Sequence, residues 1–530
     1  MSRRLAALLL LVVVFRLDLM GEPFVEYFSN RQVQNAVPIR MMQEGGYTFW
    51  QLPNEFRDTY GIAEFPLLPL IVREVYAGLE TVGLARLPAR GDAAAAHRYY
   101  VQIAVIGRLW SLMMALSSLL LLHWLLRRAW SEAAADLAVF LYALLPHNRF
   151  YDQIFIAEPT IMVLSIAGLI LLWWWGEAPA GRWAAFAAAA GAFSLVLMLK
   201  ISHVFIGLPI AWLLWRRLRT RMLWHPAVWL FGAVVLLPAA AFYHVGLPGS
   251  SVAGLDGMAW DNTKALLIDP AFTMRGAWAF LVRHVWTVWT PLGACLVVAG
   301  LVRAWRAPSP ARRDLGRLLA AWLAGWVYYW FMAGDMSTHF YYQVPSIPLA
   351  AALMAVAGES LGELLRPRVR LAALAGAAAF FFAWGAVIQR INDQESREWR
   401  GEWCRTILDV GLRADERLPP DAKIVAGCRK AIQFMVFYYA HRDGYSLNVE
   451  EGDQVQSEAP ARLEELRSFG AQFYVAPFGY DGPKRNGVIF DRQVFDALPI
   501  AAHLRERYPV FDETADGIVF DLRRARTETP

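Results

Sequence analysis

The chain has little charge for its length. Only 18% of its 530 residues are charged, whereas a soluble protein carries about 25%. Hydrophobic residues make up 57%, and several apolar runs approach the roughly 20 residues that cross hydrocarbon. The composition therefore excludes an ordinary soluble protein and indicates an α-helical polytopic membrane protein. The clearest runs are residues 5–14, 109–126, 161–175 and 371–387.

Several motifs that would assign a function are absent. There is no Gly-x-Ser-x-Gly elbow, no Walker loop and no dinucleotide fingerprint beside a strand, so serine hydrolysis and ATP-driven transport are not expected. No Cys/His spacing is typical of a zinc site, although Cys404 and Cys428 share a tail in which a disulfide is permitted. No run alternates basic and aromatic residues as a nucleic-acid groove does, so no nucleic-acid partner is expected.

Arginine is concentrated in five turns that lie at the start of the chain or after an even-numbered span. The positive-inside rule places all five in the cytoplasm. We count about eleven transmembrane helices, with the N-terminus in the cytoplasm, a retained first helix and the C-terminal tail outside. The turns lie at residues 3–4, 127–128, 216–221, 303–317 and 366–370.

The pattern predicts two domains. Residues 1–390 form the transmembrane domain, and its first outer loop, residues 22–99, contains interfacial amphipathic helices near 32–44 and 67–79. From residue 391 to 530, strand-like runs near 423–426, 472–475 and 517–520 alternate with helix-like runs. This alternation indicates a soluble extracytoplasmic α/β domain with its own core.

Ionisable side chains inside apolar spans are costly and usually functional. Arg16, Arg108 and Lys200 all fall toward the outer ends of their predicted spans. One explanation is that each reaches the outer head groups, and the other is that together they line a cavity open to the outer leaflet. Arg149, a basic residue in a short outer loop, runs against the positive-inside trend and favours the cavity.

The second outer loop, residues 146–159, contains several groups that could carry chemistry. Glu158 directly precedes Pro159, so it suits the first turn of a helix, where it would cap the N-terminus. Capping does not exclude a role at an active site, and both interpretations stay open. The other ionisable groups of this loop are His147, Arg149 and Asp152.

Other outer segments supply further candidates. Glu26 lies just beyond the first span and Glu64 precedes the second helix of the first loop. A carboxylate held among apolar groups at a membrane surface would have a raised pKa, which suits a general base. The last outer loop has aromatic residues that fit an interfacial belt or, with the imidazole and amide beside them, a phosphate or sugar contact. These residues are His339, Tyr341, Tyr342 and Gln343.

Five segments, taken in order over roughly residues 1–390, resemble the GT-C superfamily of polytopic glycosyltransferases, which use polyprenyl-phosphate sugars. The similarity is to a bacterial, family-39-like branch related to protein O-mannosyltransferases and lipid A aminoarabinose transferases. The segments are Arg31-Gln32-x-Gln34-x-Ala36, Glu64-Phe65-Pro66-Leu67-x-Pro69, Phe155-x-x-Glu158-Pro159, Leu199-Lys200-Ile201 with Gly207-Leu208-Pro209, and His339-Phe340-Tyr341-Tyr342-Gln343-x-Pro345.

The resemblance implies transfer of a sugar from a polyprenyl-phosphate donor to a glycan, lipid or protein acceptor. The site would face the outside of a bacterial inner membrane, among membrane lipids, and serve cell-envelope modification. It implies inversion at the anomeric carbon with a carboxylate general base, for which the candidates are Glu64, Glu158 and Glu26. Better-known members have an Asp-Glu pair where this sequence has Arg31-Gln32, so the usual base is absent from its usual place.

The resemblance also implies cationic and hydrogen-bonding groups that stabilise the leaving phosphate. Some relatives use a divalent metal and others need none, and the carboxylates of this chain permit one. The candidate substrate-binding residues are Arg31, Gln32, Arg108, His147, Arg149, Asp152, Lys200, His339, Tyr341, Tyr342 and Gln343.

Two other classes of protein fit parts of the pattern. A secondary transporter or lipid flippase would show internal repeats and polar groups at mid-membrane, whereas no repeat is visible here and the polar groups cluster at the outer ends. A non-catalytic envelope-assembly subunit would use the long tail to bind a partner. The sequence favours the transferase.

Overall fold

The protein is described from a computed structural model, which separates into two units. The structure describes residues 3–17, 20–25, 29–45, 65–177, 182–243, 261–262, 264–333, 340–391, 402–428, 432–449, 453–481 and 489–525. The first unit comprises the described residues within Met1–Met20, Ala63–Phe65 and Arg108–Arg390. The second unit comprises those within Gly21–Ile62, Pro66–Gly107 and Ile391–Pro530.

The first unit is built of helices whose lengths follow the apolar runs of the sequence. Short 3-10 helices occupy Ile201–Ile206, Arg219–Leu223 and Phe340–Gln343, and a π-helical turn occupies Arg283–Val288. The α-helices are Arg3–Val14, the part of Ala93–Ala129 from residue 108, Glu132–Leu144, Pro146–Tyr151, Glu158–Glu177, Trp183–Leu199, Gly207–Leu218, Pro226–Ala241, Pro270–Val282, Pro291–Trp305, Pro310–Ala333, Ser346–Leu364 and Pro367–Ile391.

Four of the described helices are long and apolar enough to cross a membrane. They are Ala93–Ala129, Glu158–Glu177, Ser346–Leu364 and Pro367–Ile388. Two bent pairs, Ile201–Leu223 with Pro226–Ala241 and Pro270–Val288 with Pro291–Trp305, raise the number to six if each pair is one span. The predicted number of about eleven and the predicted orientation are not confirmed by these helices.

The bends follow from the backbone before two prolines. His225 precedes Pro226, and Thr290, at φ 68°, precedes Pro291. A residue before proline is pushed out of the helical region, so each helix ends there and a new one begins with proline in its first turn. The two broken helices therefore bend by 115° and 110°.

The helix Ser346–Leu364 lies in the centre of the first unit. Its first twelve residues, 346–357, are all buried, as expected for a helix that is apolar on every side. A side chain at Gly300 would place its Cβ 1.9 Å from the carbonyl oxygen of Leu353. Only glycine allows the helix Pro291–Trp305 to approach this closely.

The described strands of the second unit are β1 Ile424–Gly427, β2 Gly444–Leu447, β3 Phe473–Pro477, β4 Tyr480–Asp481, β5 Ile489–Phe490, β6 Val510–Glu513 and β7 Gly517–Asp521. Five of them form a sheet in the order β2-β1-β3-β7-β6, and β4 and β5 form a separate hairpin. β1 is parallel to β2 and β3, whereas β7 is antiparallel to β3 and β6. The strand-like runs predicted near residues 423–426, 472–475 and 517–520 are β1, β3 and β7, so the small α/β fold is confirmed.

Helices from both ends of the sequence belong to the second unit. The two segments predicted as amphipathic helices in the first outer loop are the helices Ser29–Glu44 and Leu67–Thr81. The contacts group them with the residues from 391 onward, and the predicted domain boundary at residue 390 stays a prediction. The other helices are Ala93–Ala129 up to residue 107, Glu402–Arg417, Gln433–Ala440, Asp453–Ser468, Arg492–Asp496 and Pro499–Arg507.

The helix Gln433–Ala440 is buried along its whole length, and its last carbonyls receive donors from the N-terminal part of the chain. Arg40 donates from Nη1 to the carbonyl oxygens of Phe437 and Tyr438, at 2.9 and 3.2 Å. The Tyr100 hydroxyl donates to the Tyr438 oxygen at 2.8 Å. These donors add to the backbone N–H groups of His441 and Arg442, which lie 3.3 and 3.4 Å from the Tyr438 and Phe437 oxygens, at a helix end where carbonyls lack the usual helical partners.

Candidate functional site

A buried ion pair joins two helix ends in the first unit. Lys200 Nζ donates to Glu158 Oε1, and the two residues are 5% and 2% exposed. Glu158 begins the helix Glu158–Glu177, while Lys200 follows the helix Trp183–Leu199 in an extended conformation. The ion pair therefore joins the first residue of one helix to the residue that follows another.

Two tyrosine rings cover the ammonium group of Lys200. Its Nζ lies 4.6 Å from the centroid of the Tyr341 ring and 4.0 Å from that of Tyr342. Both tyrosines are buried, in the 3-10 helix Phe340–Gln343. A cation over an aromatic face is stabilised by the ring quadrupole, more strongly away from water. The ammonium is thus held by one carboxylate and two rings, and it has three N–H donors in all.

A second buried ion pair fixes Asp152. Arg16 Nε lies 2.8 Å from Asp152 Oδ2, and the Tyr142 hydroxyl donates to Asp152 Oδ1 at 2.8 Å. Burial raises the pKa of the Asp152 carboxyl, while the Arg16 charge and the two hydrogen bonds oppose the rise. Asn148 Nδ2 also donates to the carbonyl oxygen of Tyr142 at 2.7 Å. With both carboxylate oxygens engaged, Asp152 anchors the loop before Glu158.

The remaining predicted residues of the first unit differ in exposure. Arg108 and Gln343 are fully buried and His147 is 4% exposed, with its ring 4.6 Å from that of Tyr151. Arg149 is exposed, on the short helix Pro146–Tyr151. The structure therefore groups Lys200 with Glu158, Tyr341 and Tyr342, and Asp152 with a separate arginine.

The other predicted residues belong elsewhere or cannot be placed. Arg31 and Gln32 lie in the second unit, where Arg31 Nη1 donates to Gln34 Oε1 at 2.8 Å. The candidates Glu26, Glu64 and His339 lie outside the described residues. Two of the three candidate bases are thus without described geometry.

His203 is a further buried residue beside Lys200 that the sequence motifs do not predict as a site residue. It lies three residues after Lys200, is 2% exposed, and its ring packs 5.3 Å from that of Phe205. A histidine this close to a lysine at a helix end was the available signal, but the apolar residues around it favoured assignment to a span. Among the described residues, no group of three or more His, Cys, Asp or Glu side chains could hold a metal ion.

Comparison with solved structures finds the same fold in two enzymes. The chain matches the crystal structure of ArnT from Cupriavidus metallidurans bound to undecaprenyl phosphate with a TM-score of 0.56 and 15% identity, covering 99% of this chain and 98% of that one. It matches the oligosaccharyltransferase of Archaeoglobus fulgidus, solved with zinc and sulfate, with a TM-score of 0.56 and 12% identity, covering 89% and 68%.

Both enzymes are glycosyltransferases of the GT-C superfamily, so the predicted resemblance is confirmed at the level of the fold. A further structure of the archaeal enzyme carries a tethered acceptor peptide and matches with a TM-score of 0.53 and 11% identity, covering 89% of this chain and 68% of that one. No protein-family model matches the chain, and no curated protein sequence matches it.

Proposed function

We propose that the protein is a membrane glycosyltransferase that moves a sugar from a polyprenyl-phosphate donor to an acceptor on the outer face of the membrane. The observation that carries this proposal is the buried Lys200–Glu158 pair under two tyrosine rings. It occurs in a fold shared with ArnT, which was solved with undecaprenyl phosphate. The acceptor would be a glycan, a lipid or a protein.

Lys200 is the cation that would bind the donor phosphate. Its ammonium group lies buried at the ion pair with Glu158, and an ammonium is a compact positive charge that binds phosphate oxygens. Tyr341 and Tyr342 restrict the ammonium group to one position, which lowers the entropy lost when the phosphate binds. A cation held in place in a water-poor site also stabilises charge on the leaving phosphate most effectively.

The reaction would be a single displacement with inversion. The bond from the anomeric carbon to the phosphate oxygen breaks and its electron pair stays on the phosphate. The acceptor oxygen or nitrogen attacks the opposite face, and its proton passes to a carboxylate. We assign that base to Glu64 or Glu158, with Glu26 as a third candidate. Because Glu158 is paired with Lys200, its action as a base would require the pair to separate.

The other predicted residues would also bind substrate. Arg108, His147, Arg149, His339 and Gln343 would contact the donor, and Arg31 and Gln32 stay predicted substrate-binding residues of the first loop. Asp152 would act by holding its loop in place. A divalent metal, such as the zinc present in the archaeal structure, remains a separate proposal that no step above uses.

We also propose the arrangement in the membrane that the sequence predicts. Residues 1–390 would form the catalytic domain with about eleven spans, and residues 391–530 an extracytoplasmic domain. The protein would lie in a bacterial inner membrane with its N-terminus in the cytoplasm. Cysteine labelling of the tail in intact cells tests the orientation, because an outward tail reacts with an impermeant maleimide.

Turnover by the purified protein tests the function. The wild type in lipid nanodiscs would be given a panel of radiolabelled polyprenyl-phosphate sugars, and donor binding and sugar release would be scored separately. We expect one of the variants Glu64→Gln and Glu158→Gln to bind donor and release no sugar, which would identify the base. The exposed Lys264→Ala variant is the control. A wild type that binds none of the donors would contradict the proposal and favour a transporter.

A further inference from the structure

His203 is held beside the proposed phosphate-binding lysine. Its backbone N–H donates to the carbonyl oxygen of Lys200 at 3.0 Å, within the turn that opens the 3-10 helix Ile201–Ile206. Its side chain is 2% exposed, and its ring lies against that of Phe205. His203 therefore lies one turn of the chain after Lys200, and a backbone hydrogen bond joins the two residues.

Neither ring nitrogen of His203 has a hydrogen-bond partner within the part of the chain that the structure describes. A neutral imidazole has one donor and one acceptor, and a buried polar atom without a partner is unfavourable and rare in native proteins. His284, another buried histidine of this unit, has a hydrogen-bond partner at each ring nitrogen. Its Nδ1 lies 3.0 Å from the Phe280 oxygen, and Trp326 Nε1 donates to its Nε2 at 3.0 Å.

We propose that His203 is a donor-site residue whose ring N–H donates a hydrogen bond to the phosphate group bound by Lys200. The inference deepens the proposed function and rests on it. The ligand has the chemistry of a phosphate ester, with oxygens able to accept from the ammonium and the imidazole at once. A phosphate bound at Lys200 would give the ring the partner that its protein surroundings do not supply.

The same hydrogen bond would act during transfer. As the anomeric carbon separates from the phosphate oxygen, the electron pair of that bond stays on the phosphate and its charge increases. A hydrogen bond from the imidazole to that phosphate would strengthen as the charge develops. His203 would therefore contribute to turnover as well as to donor binding, while the acceptor proton still passes to the carboxylate base.

The test compares two substitutions of His203 with one of His284. His203→Phe removes both ring nitrogens, and His203→Gln keeps an N–H donor. His284→Phe takes the acceptor away from the buried Trp326 indole N–H. The full-length proteins in nanodiscs would be titrated with undecaprenyl phosphate, with undecaprenol as the probe that lacks phosphate. Thermal stability would be measured without ligand.

We expect His203→Phe to keep the ligand-free stability and to bind undecaprenyl phosphate about tenfold or more weakly, as for loss of a hydrogen bond to a charged group. His203→Gln should recover most of that affinity, and undecaprenol binding should not change. His284→Phe should lower the stability.

Two results would overturn the role of His203 without contradicting the proposed function. One is a wild type that binds undecaprenyl phosphate with an affinity that His203→Phe retains. The other is a His203→Phe variant that loses as much ligand-free stability as His284→Phe, because its nitrogens would then already be satisfied in the free protein. A wild type without affinity for undecaprenyl phosphate would instead overturn the proposed donor class, and the inference with it.

Discussion

Lys200 forms its buried ion pair with Glu158, a residue 42 positions earlier in the chain. The pair brings the start of one helix to the end of another. Removing charges from water is costly, so a buried pair is stable only while both partners are present. Substitution of one partner is therefore expected to lower the stability, whereas substitution of both should remove donor binding while most of the stability is kept.

The stability of the pair is tested by single and double substitutions. Lys200→Met alone leaves the Glu158 carboxylate buried without its partner, which costs about 3–5 kcal/mol. The double variant Lys200→Met with Glu158→Leu removes both charges, and we expect it to regain most of the stability. Thermal unfolding in nanodiscs gives the stability of the wild type, the single variant and the double variant. A double variant no more stable than the single would show that the pair is not coupled as described.

The tyrosine rings over Lys200 should contribute to donor affinity through their aromatic faces and not through their hydroxyl groups. Tyr342→Phe keeps the ring under the ammonium, so donor affinity should fall less than about threefold. Tyr342→Leu removes the cation–π contact, worth about 2 kcal/mol in a desolvated site, so affinity should fall about 30-fold. Tyr328, which is 45% exposed on the helix Pro310–Ala333, is the matched control. Equal effects of Tyr342→Phe and Tyr342→Leu would assign the role to the hydroxyl instead.

Part of this site follows from the sequence and part does not. Ordered motifs and ionisable residues at span ends predict Lys200, Glu158, Tyr341 and Tyr342 as site residues. No local sequence pattern predicts the ion pair of Lys200 with Glu158, because that contact depends on how two helices that are separate in the sequence pack together. His203 was missed for a related reason, since only three dimensions show that its ring nitrogens have no hydrogen-bond partner among the described residues.

The fold is likewise predicted by the sequence only in part. Apolar length predicts helices because crossing hydrocarbon requires internally bonded backbone, and alternating runs predict the small sheet. The contact of Arg40 with Phe437 joins residues 397 positions apart, and neither residue carries a signal of the other. The roles of Glu26, Glu64 and His339 stay predictions.

The Arg16–Asp152 pair should act through stability. Arg16→Met leaves a carboxylate that is fully buried, so we expect a loss of about 3 kcal/mol or more. The exposed pair of Arg128 and Glu177 is the matched control, and Arg128→Met should cost less than about 1 kcal/mol. Turnover per folded molecule should stay near that of the wild type. A stable Arg16→Met protein with strongly reduced turnover would give Asp152 a direct role in the reaction.

Glu44 should give the second unit a specific acid sensitivity. Burial alone would raise its pKa, but the hydrogen bond with His441 and the charges of Arg40 and Arg90 lower the pKa of Glu44 from 4.5 to about 2. A carboxyl whose folded pKa is lowered adds stability above its unfolded pKa and loses it as pH falls toward the folded pKa. The loss should therefore occur between about pH 4.5 and pH 2.

The variant Glu44→Gln tests this acid sensitivity. We expect it to be less stable at neutral pH and to show a flatter decline in thermal midpoint between about pH 4.5 and pH 2. Glu465→Gln, at an exposed pair with Arg462, should leave the wild-type profile unchanged. A Glu44→Gln profile parallel to the wild type would mean that Glu44 does not titrate in this window.

The affinity of the protein for undecaprenyl phosphate tests the central claim most directly. It would be measured in nanodiscs for the wild type and for the double variant Lys200→Met with Glu158→Leu, which is expected to stay folded. We predict that the wild type binds and that the double variant binds at least about 100-fold more weakly, because the cation that meets the phosphate is gone. Equal affinity in a folded double variant would contradict the assignment of Lys200 as the phosphate-binding group.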